Sequence, residues 1–360
     1  SPRRSRSRWA CRPPSRKHSC SWCQGQCRQP CPSVPTSRNG DLNGLILHSR
    51  PGDRRGVVPE QAGWWSDPAL AMINGDTSLV GLLGNPVRHS LSPVMQNAAL
   101  ESMGLNWRYL ALPCTSENLD EVLKGLRAVD CQGLNVTIPH KQAIAELCEE
   151  LSPLAKRLGA VNTLIPGAGG GWFGTNTDVE GFLAPLGAND AWAGRHAVVI
   201  GCGGSARAVV AGLQTLNLSS ITVVGRRSEA LQAFITDLQQ SHAPLTACLD
   251  TAVQLNENVA QAALVVNTTP VGMAQHGDPE AMPLGAELWT NLNGEAVLYD
   301  LIYTPRPTSW LAAGQQRGHR CIDGLEMLVQ QGAASLRLWS GRDDVPVAAM
   351  RSAAATALAT

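Results

Sequence analysis

From Thr77 onward the chain alternates short apolar runs, closed by glycine or proline, with longer stretches whose apolar residues recur every three or four positions. The first pattern predicts buried strands and the second amphipathic helices. A strand is expected from Ser78 up to the closing Gly84-Asn85-Pro86. The next residues lead into a helix, with Ser92 placed as its N-cap and Pro93 in its first turn. Further strands are expected at 107–112, 133–141 and 159–164, the last running into a glycine-rich hairpin that ends in Trp172–Asp178. Helices are expected at 119–129, 141–151 and 179–186. Beyond these the pattern predicts strands at 196–200, 221–224, 264–267 and 297–301, with helices at 205–216 and 229–240. A long helix opens at Gly324 and runs into Leu338 and Trp339, and a final helix starts at Val345. Strands alternating with helices of these lengths predict an α/β protein with mostly parallel sheets.

Around VVIGCGGSARAVVA, residues 198–211, the apolar strand ends at Gly201, glycines turn the backbone, and a helical pattern begins near Ser205. Side chains at Gly201, Cys202, Gly203, Gly204 and Ser205 are mostly small, so a pyrophosphate could approach the backbone and the helix N-terminal N–H groups. The spacing departs from a strict G-x-G-x-x-G at its last glycine. After the second strand, where an acidic residue would accept from a ribose 2′-hydroxyl, the chain has Gly225-Arg226-Arg227. A guanidinium suits a 2′-phosphate through charge and fork geometry, which points to NADP over NAD.

The 360 residues suffice for two domains, and 44% hydrophobic content with a formal net charge of +0 describes a globular protein with no electrostatic appetite for nucleic acid or membranes. That average hides an asymmetry. The first 70 or so residues are crowded with Arg, Ser, Pro and Cys, including Cys11, Cys20, Cys23, Cys27 and Cys31. Zinc and a transit peptide are readings of this leader; the favoured expectation is that it is not part of the natural product, with Met72 as a natural start, so that 1–74 is a disordered, low-complexity segment that contributes nothing to function. Cys114, Cys131, Cys148, Cys202, Cys248 and Cys321 are scattered through apolar stretches and read as reduced packing residues of a cytoplasmic protein. The expected organisation is a substrate domain over 75–177 completed by the 324–360 helices, and a Rossmann-like nucleotide domain over 178–323. A homodimer is left open.

Outside the glycine loop the candidate chemistry consists of hydroxyls, amides, one lysine and one aspartate, with no metal-ligand cluster in the patterned part. Ser90 and Ser92, one residue apart at a strand-to-helix junction, could cap the helix or hold a polyhydroxylated ligand. Such a set suits a small, polyhydroxylated, anionic substrate. Hydride transfer from a carbinol needs a group that removes the hydroxyl proton, and Lys141 beside Asp178 would serve if the fold brings them together. Asp178 could instead cap the helix that follows it.

The motifs Ser90-Leu91-Ser92-Pro93, Asn135-Val136-Thr137-x-Pro139-x-Lys141, Gly159-Ala160-Val161-Asn162-Thr163, Gly174-x-Asn176-Thr177-Asp178, Gly201-x-Gly203-Gly204, Asn267-Thr268-Thr269-Pro270-x-Gly272-Met273 and Gly324-x-x-Met327-Leu328-x-x-Gln331 occur in that order over about residues 77–341. Together they resemble the shikimate dehydrogenase family, which reduces 3-dehydroshikimate with NADPH. The resemblance implies that Ser90 and Ser92 hold the substrate carboxylate and that Thr137, Asn162 and Gln331 bind its hydroxyls. It makes Lys141 and Asp178 the catalytic pair and Tyr303 a further substrate contact. Gly201–Ser205 would meet the pyrophosphate, Arg226 the 2′-phosphate, and Leu301 and Gly324 the nicotinamide. Two departures stand out: Gly225-Arg226-Arg227 replaces a common Asn-Arg-Thr, and Pro153 stands where the family often has an acidic residue. Rival readings are a quinate/shikimate dehydrogenase of broader specificity and a catalytically silent metabolite sensor; paired serines and arginines argue against the first, retention of Lys141 and Asp178 against the second.

Overall fold

The computed structural model describes residues 73–239, 243–249, 252–274 and 276–359. All but the last two residues of the leader expected over 1–74 lie outside the described residues, and so do its five cysteines.

In the first part β1 (Ser78–Gly84) leads to α1 (Ser92–Ser102), β2 (Trp107–Pro113), α2 (Leu119–Ala128), β3 (Gly133–Val136), α3 (Ala143–Glu146), β4 (Glu150–Leu151), α4 (Pro153–Leu158), β5 (Thr163–Pro166) and β6 (Trp172–Thr175). The strands form one sheet in the order β2-β1-β3-β5-β6-β4. β1 pairs in parallel with both β2 and β3, and β4 with β6; β5 is antiparallel to its two neighbours. The reversal follows from the turn between β5 and β6, where the Gly167 N–H donates to the Gly171 carbonyl and Gly170 sits at φ +95°. Only a hairpin can join two strands so closely.

After α5 (Asp178–Leu183) comes a second sheet: β7 (His196–Ile200), α6 (Gly204–Leu213), β8 (Ser220–Gly225), α7 (Ser228–Leu238), β9 (Leu245–Leu249), α8 (Ala252–Gln261), β10 (Ala262–Asn267), β11 (Val297–Asp300), α9 (Ser309–Gln316) and β12 (Cys321–Ile322). Its order is β12-β11-β10-β7-β8-β9, parallel throughout. Chain order reverses between β7 and β10, so the crevice beyond their carboxyl ends is the place where such a sheet takes its ligand. Apolar clusters cover both faces of this sheet, which is why its central strands are near-continuous runs such as HAVVI and AALVVN.

The chain then returns to the first sheet. α10 (Leu325–Ser340) and α11 (Val347–Ala359) bury Val329, Ala333, Leu336 and Met350 against Val80, Met95, Leu100 and Tyr109. Close approach of α10 to α5 depends on Gly181, where a Cβ would lie 2.7 Å from the Met327 carbonyl oxygen.

Several expected elements change. Residues 141–151 give only the single turn α3, because the chain beyond it satisfies its backbone donors on β6: Glu149 N–H bonds the Trp172 carbonyl, and Ser152 N–H the Gly174 carbonyl. Ser92 is the first residue of α1 rather than its N-cap; its own N–H donates to Ser90 Oγ at 3.1 Å. Asp178 likewise opens α5 behind the N-cap residue Thr177 and does not cap it. β9, α8, α9 and β12 were not legible as apolar periodicity.

Candidate functional site

Two cavities meet in the crevice. The first, about 210 Å³, is lined by Ser90, Ser92, Thr137, Lys141, Asn162, Asp178, Leu301, Tyr303, Gly324 and Gln331, so every residue expected to touch substrate or nicotinamide reaches one place. The second, about 470 Å³, is lined by Gly201–Ser205 and Gly225, Arg226 and Arg227. Lys141, Ser205 and the Thr268-Thr269-Pro270 segment belong to both walls.

Lys141 follows the turn after β3, where His140 is buried with its Nε2 2.7 Å from the Cys114 carbonyl oxygen. Its Nζ donates to Asp178 Oδ2 at 2.7 Å, with the two side chains only 13% and 5% exposed. The other carboxylate oxygen, Oδ1, accepts from Asn162 Nδ2 at 2.8 Å. Asn162 in turn accepts from the Thr177 N–H at 2.8 Å and from Thr163 Oγ1 at 2.9 Å, which fixes its amide orientation. Gln331 Oε1 lies 3.4 Å from the same Nδ2.

Beneath this pair lies a polar layer that sequence patterning did not single out. Asn135 donates to Ser335 Oγ at 2.8 Å and accepts from the Tyr109 hydroxyl at 2.8 Å, while Ser335 also pairs with Thr163 at 2.9 Å. Burial pushes the Tyr109 phenol far above its ordinary value, opposed by a hydrogen bond with Ser92. Tyr303 is raised by burial too, against hydrogen bonds with Ser90 and the Leu91 backbone, so both phenols stay protonated. Hydrogen bonds of this layer therefore link Ser92, through Tyr109, Asn135 and Asn162, to Asp178. An asparagine inside the apolar strand GLNV and a serine on the buried face of α10 were its only signals.

At the nucleotide side, Gly201 sits at φ +109°, where an added Cβ would fall 2.5 Å from Thr268 Oγ1. α6 starts behind Gly203 with no side-chain cap, leaving its first N–H groups to face the cavity. Arg226 and Arg227 are exposed at the end of β8, and neither forms an ion pair among the described residues. An uncapped helix N-terminus, a side-chain-free loop and two such cations suit a phosphorylated dinucleotide, and the residues fit NADP.

The sequence model of the shikimate dehydrogenase substrate binding domain matches residues 82–164, and that of the shikimate 5'-dehydrogenase C-terminal domain matches residues 324–355. A curated shikimate dehydrogenase (NADP(+)) of Synechocystis sp. is 49% identical over 79% of this chain and 97% of its own length. Its counterpart in Prochlorococcus marinus (strain MIT 9515) is 42% identical over 78% and 98%. The chain belongs to the NADP-dependent shikimate dehydrogenase family. A solved shikimate 5-dehydrogenase of Thermus thermophilus, in complex with NADP(H) and shikimate, shares 37% identity over 78% of this chain and 100% of that one, with a TM-score of 0.68.

Among the described residues no group of three His, Cys, Asp or Glu could hold a metal ion. No helix among them is long and apolar enough to cross a membrane. The six described cysteines are free, and burial pushes the Cys131, Cys148 and Cys321 thiols up to about 11, as suits packing residues.

Proposed function

We propose that the chain catalyses the reversible NADPH-dependent reduction of 3-dehydroshikimate to shikimate, with Lys141 and Asp178 as the catalytic pair. The observation that carries this reading is the position of the pair. Lys141 lines both cavities, so its ammonium lies where a substrate in the smaller one meets a nicotinamide from the larger one. When bound, NADPH supplies the hydride that reaches the substrate's carbonyl carbon. Lys141 Nζ gives a proton to the carbonyl oxygen as that oxygen gains charge, and in the oxidising direction takes it from the hydroxyl. Asp178 holds the lysine at 2.7 Å and accepts a hydrogen bond from Asn162, so neither side chain is free to swing away.

Ser90, Ser92 and the protonated Tyr303 offer hydroxyl donors in the wall of the smaller cavity, which suits the substrate carboxylate. Thr137, Asn162 and Gln331 line the same cavity and suit the ring hydroxyls. Gly201–Ser205 would hold the pyrophosphate, Arg226 with Arg227 the 2′-phosphate, and Leu301 and Gly324 the nicotinamide. On this reading residues 75–177 with 324–360 bind substrate and residues 178–323 bind the nucleotide.

The test is the initial rate of cofactor reduction, crossing shikimate and quinate against NADP and NAD, with Lys141→Ala as control. Activity confined largely to shikimate with NADP, and lost by Lys141→Ala while NADP still binds, is the expected result. Comparable rates with quinate and NAD would move the chain to the broader-specificity relatives. No rate from folded protein in any combination would make it a silent sensor.

A further inference from the structure

β11 ends in a carboxylate that the mechanism above does not use. Asp300 is fully buried, 0% exposed, yet neither of its oxygens pairs with a cation among the described residues. Its Oδ1 accepts from Asn267 Nδ2 at 3.0 Å and from the Ile302 N–H at 3.1 Å, and its Oδ2 accepts from Thr308 Oγ1 at 2.8 Å. A buried carboxylate with hydrogen bonds but no cation is costly to desolvate, so what its bonds hold in place matters.

What the three bonds hold indicates the reason. Asn267, with its Nδ2 committed to Asp300, turns its Oδ1 toward Thr269 and accepts from both the Thr269 N–H at 3.0 Å and Thr269 Oγ1 at 2.7 Å. Thr268–Pro270 is the segment that lines both cavities. Ile302 belongs to the turn carrying Leu301 and Tyr303, which lines the smaller cavity. One carboxylate thus fixes the two loops between which the ring of a nicotinamide and the reacting carbon must meet. Thr308, the third partner, only caps α9, accepting from the Leu311 N–H.

We propose that Asp300 is a positioning residue for hydride transfer: through Asn267 and Ile302 it sets the spacing of the Thr268–Pro270 and Leu301–Tyr303 loops across the meeting point of the two cavities. Geometry of this kind acts on the chemical step more than on substrate affinity, because of the residues assigned to substrate only Tyr303 is on a loop that Asp300 holds, while Ser90, Ser92, Thr137, Asn162 and Gln331 lie on other elements. Burial pushes the Asp300 carboxyl up to about 6, with the charge of Asp323 adding to it and the three hydrogen bonds opposing it. Asp323 is itself paired with Arg306, and these are the charged groups facing the site from the neighbouring turns. Protonation would remove one acceptor and weaken the tie to Asn267.

The inference rests on the crevice being the shikimate site. Should that reading fail, the parent protein itself shows no turnover; should the present one fail, the parent is active and the variants are equally active. The experiment compares Asp300→Asn, Asn267→Ala and Thr308→Val with the parent in kcat and KM for shikimate, in kcat between pH 5 and 8, and in thermal unfolding. Asp300→Asn is expected to lower kcat about 10- to 100-fold with KM within about threefold, to lose the parent's fall in kcat below about pH 6, and to unfold at no lower temperature at neutral pH. Asn267→Ala removes outright the tie that Asp300→Asn, whose amide oxygen can still accept from Asn267 and Ile302, only weakens; its kcat loss should be at least as large, and it carries the test if Asp300→Asn does not fold. Thr308→Val unfolds earlier but keeps kcat within about twofold. Normal turnover in Asn267→Ala, or a kcat loss in Thr308→Val matching that of Asp300→Asn, overturns the proposal.

Discussion

Replacing Asp178 by asparagine tests the proposed catalytic pair with almost no change in shape. The aspartate accepts on both oxygens, from Lys141 Nζ on one side and from Asn162 Nδ2 on the other. An asparagine has one carbonyl oxygen and one NH2, so in either orientation a donor must face a donor. Breaking one side of a buried ion pair costs about 3–5 kcal/mol, and the lysine's residual 13% exposure places the loss toward the lower end of that range. The proton-transfer group Lys141 stays in place but loses its anchor, so turnover should fall by up to the about 10²- to 10⁴-fold that a positioned proton-transfer group contributes. Asp178 does not line the larger cavity, although Lys141, Ser205 and Thr268–Pro270 belong to both, so NADP affinity should change by less than about threefold. Three measurements on one preparation decide it: the rate of NADPH formation with shikimate, NADP titration by fluorescence, and urea unfolding. Turnover within tenfold of the parent, with normal unfolding, would remove Asp178 from the proposed role. A parallel collapse of NADP binding would show a general loss of structure instead.

Changing Arg226 and Arg227 together to alanine removes two exposed guanidiniums; on a charge-assisted bond of about 1.5 kcal/mol or more, discounted for screening, NADP affinity should fall roughly 10- to 100-fold with NAD affinity unchanged. Equal losses for both would mean that these arginines do not read the 2′-phosphate. Gly181→Ala forces a Cβ to within 2.8 Å of Gln331 Cβ as well as against the Met327 carbonyl, so α10 must shift. Overpacking of this kind costs about 1–3 kcal/mol, and KM for shikimate should rise more than kcat falls; an unchanged KM would detach Gln331 from substrate. The Asp300 carboxyl, raised from 3.8 to about 6 in the fold, favours the folded state most below pH 4 and loses that contribution as pH rises to about 6. The difference in unfolding free energy between Asp300→Asn and the parent should grow by about 3 kcal/mol across that window. A difference independent of pH would show that the carboxyl titrates normally.

Legibility in the sequence followed burial geometry. β7 and β10 are covered on both faces, so their continuous apolar runs stood out, and β7 falls on residues 196–200 as expected. α3 and β4 failed because the stretch after Lys141 mixes apolar and polar residues in a way that fits one long helix, and only pairing with β6, more than 20 residues later, ends it. α8 went unread although it is as long as α6 and as amphipathic as α7, while α9 is shorter and more weakly patterned. For the site, the residues expected from the ordered motifs line the two cavities, yet the ion pair itself joins positions 37 apart and needed the fold to be seen. Ser335 and Asp300 went unnoticed, and Asn135 stood in a motif without a role of its own, for a different reason. A single polar residue within or ending an apolar run looks the same whether it faces water or a buried partner.

The glycine loop offers a sharper separation of chain from cofactor than its motif suggests. At Gly201 the chain alone requires glycine: φ is +109° and a Cβ would strike Thr268, so an alanine there would damage fold and binding together. Gly203 is different. Its φ is −92°, a value any residue adopts, and an added Cβ would meet no atom within 4 Å. Nothing in the folded chain accounts for the missing side chain, which leaves the occupant of the larger cavity as the reason for it. Gly203→Ala should therefore leave stability unchanged or raise it by up to about 1 kcal/mol, through the unfolded state, while NADP affinity falls severalfold or more and shikimate binding to the free enzyme is untouched. Unfolding in urea and cofactor titration read the two effects independently. Unchanged NADP affinity in a protein of unchanged stability would mean that the pyrophosphate does not lie on this loop, and the nucleotide would have to be placed elsewhere along the crevice.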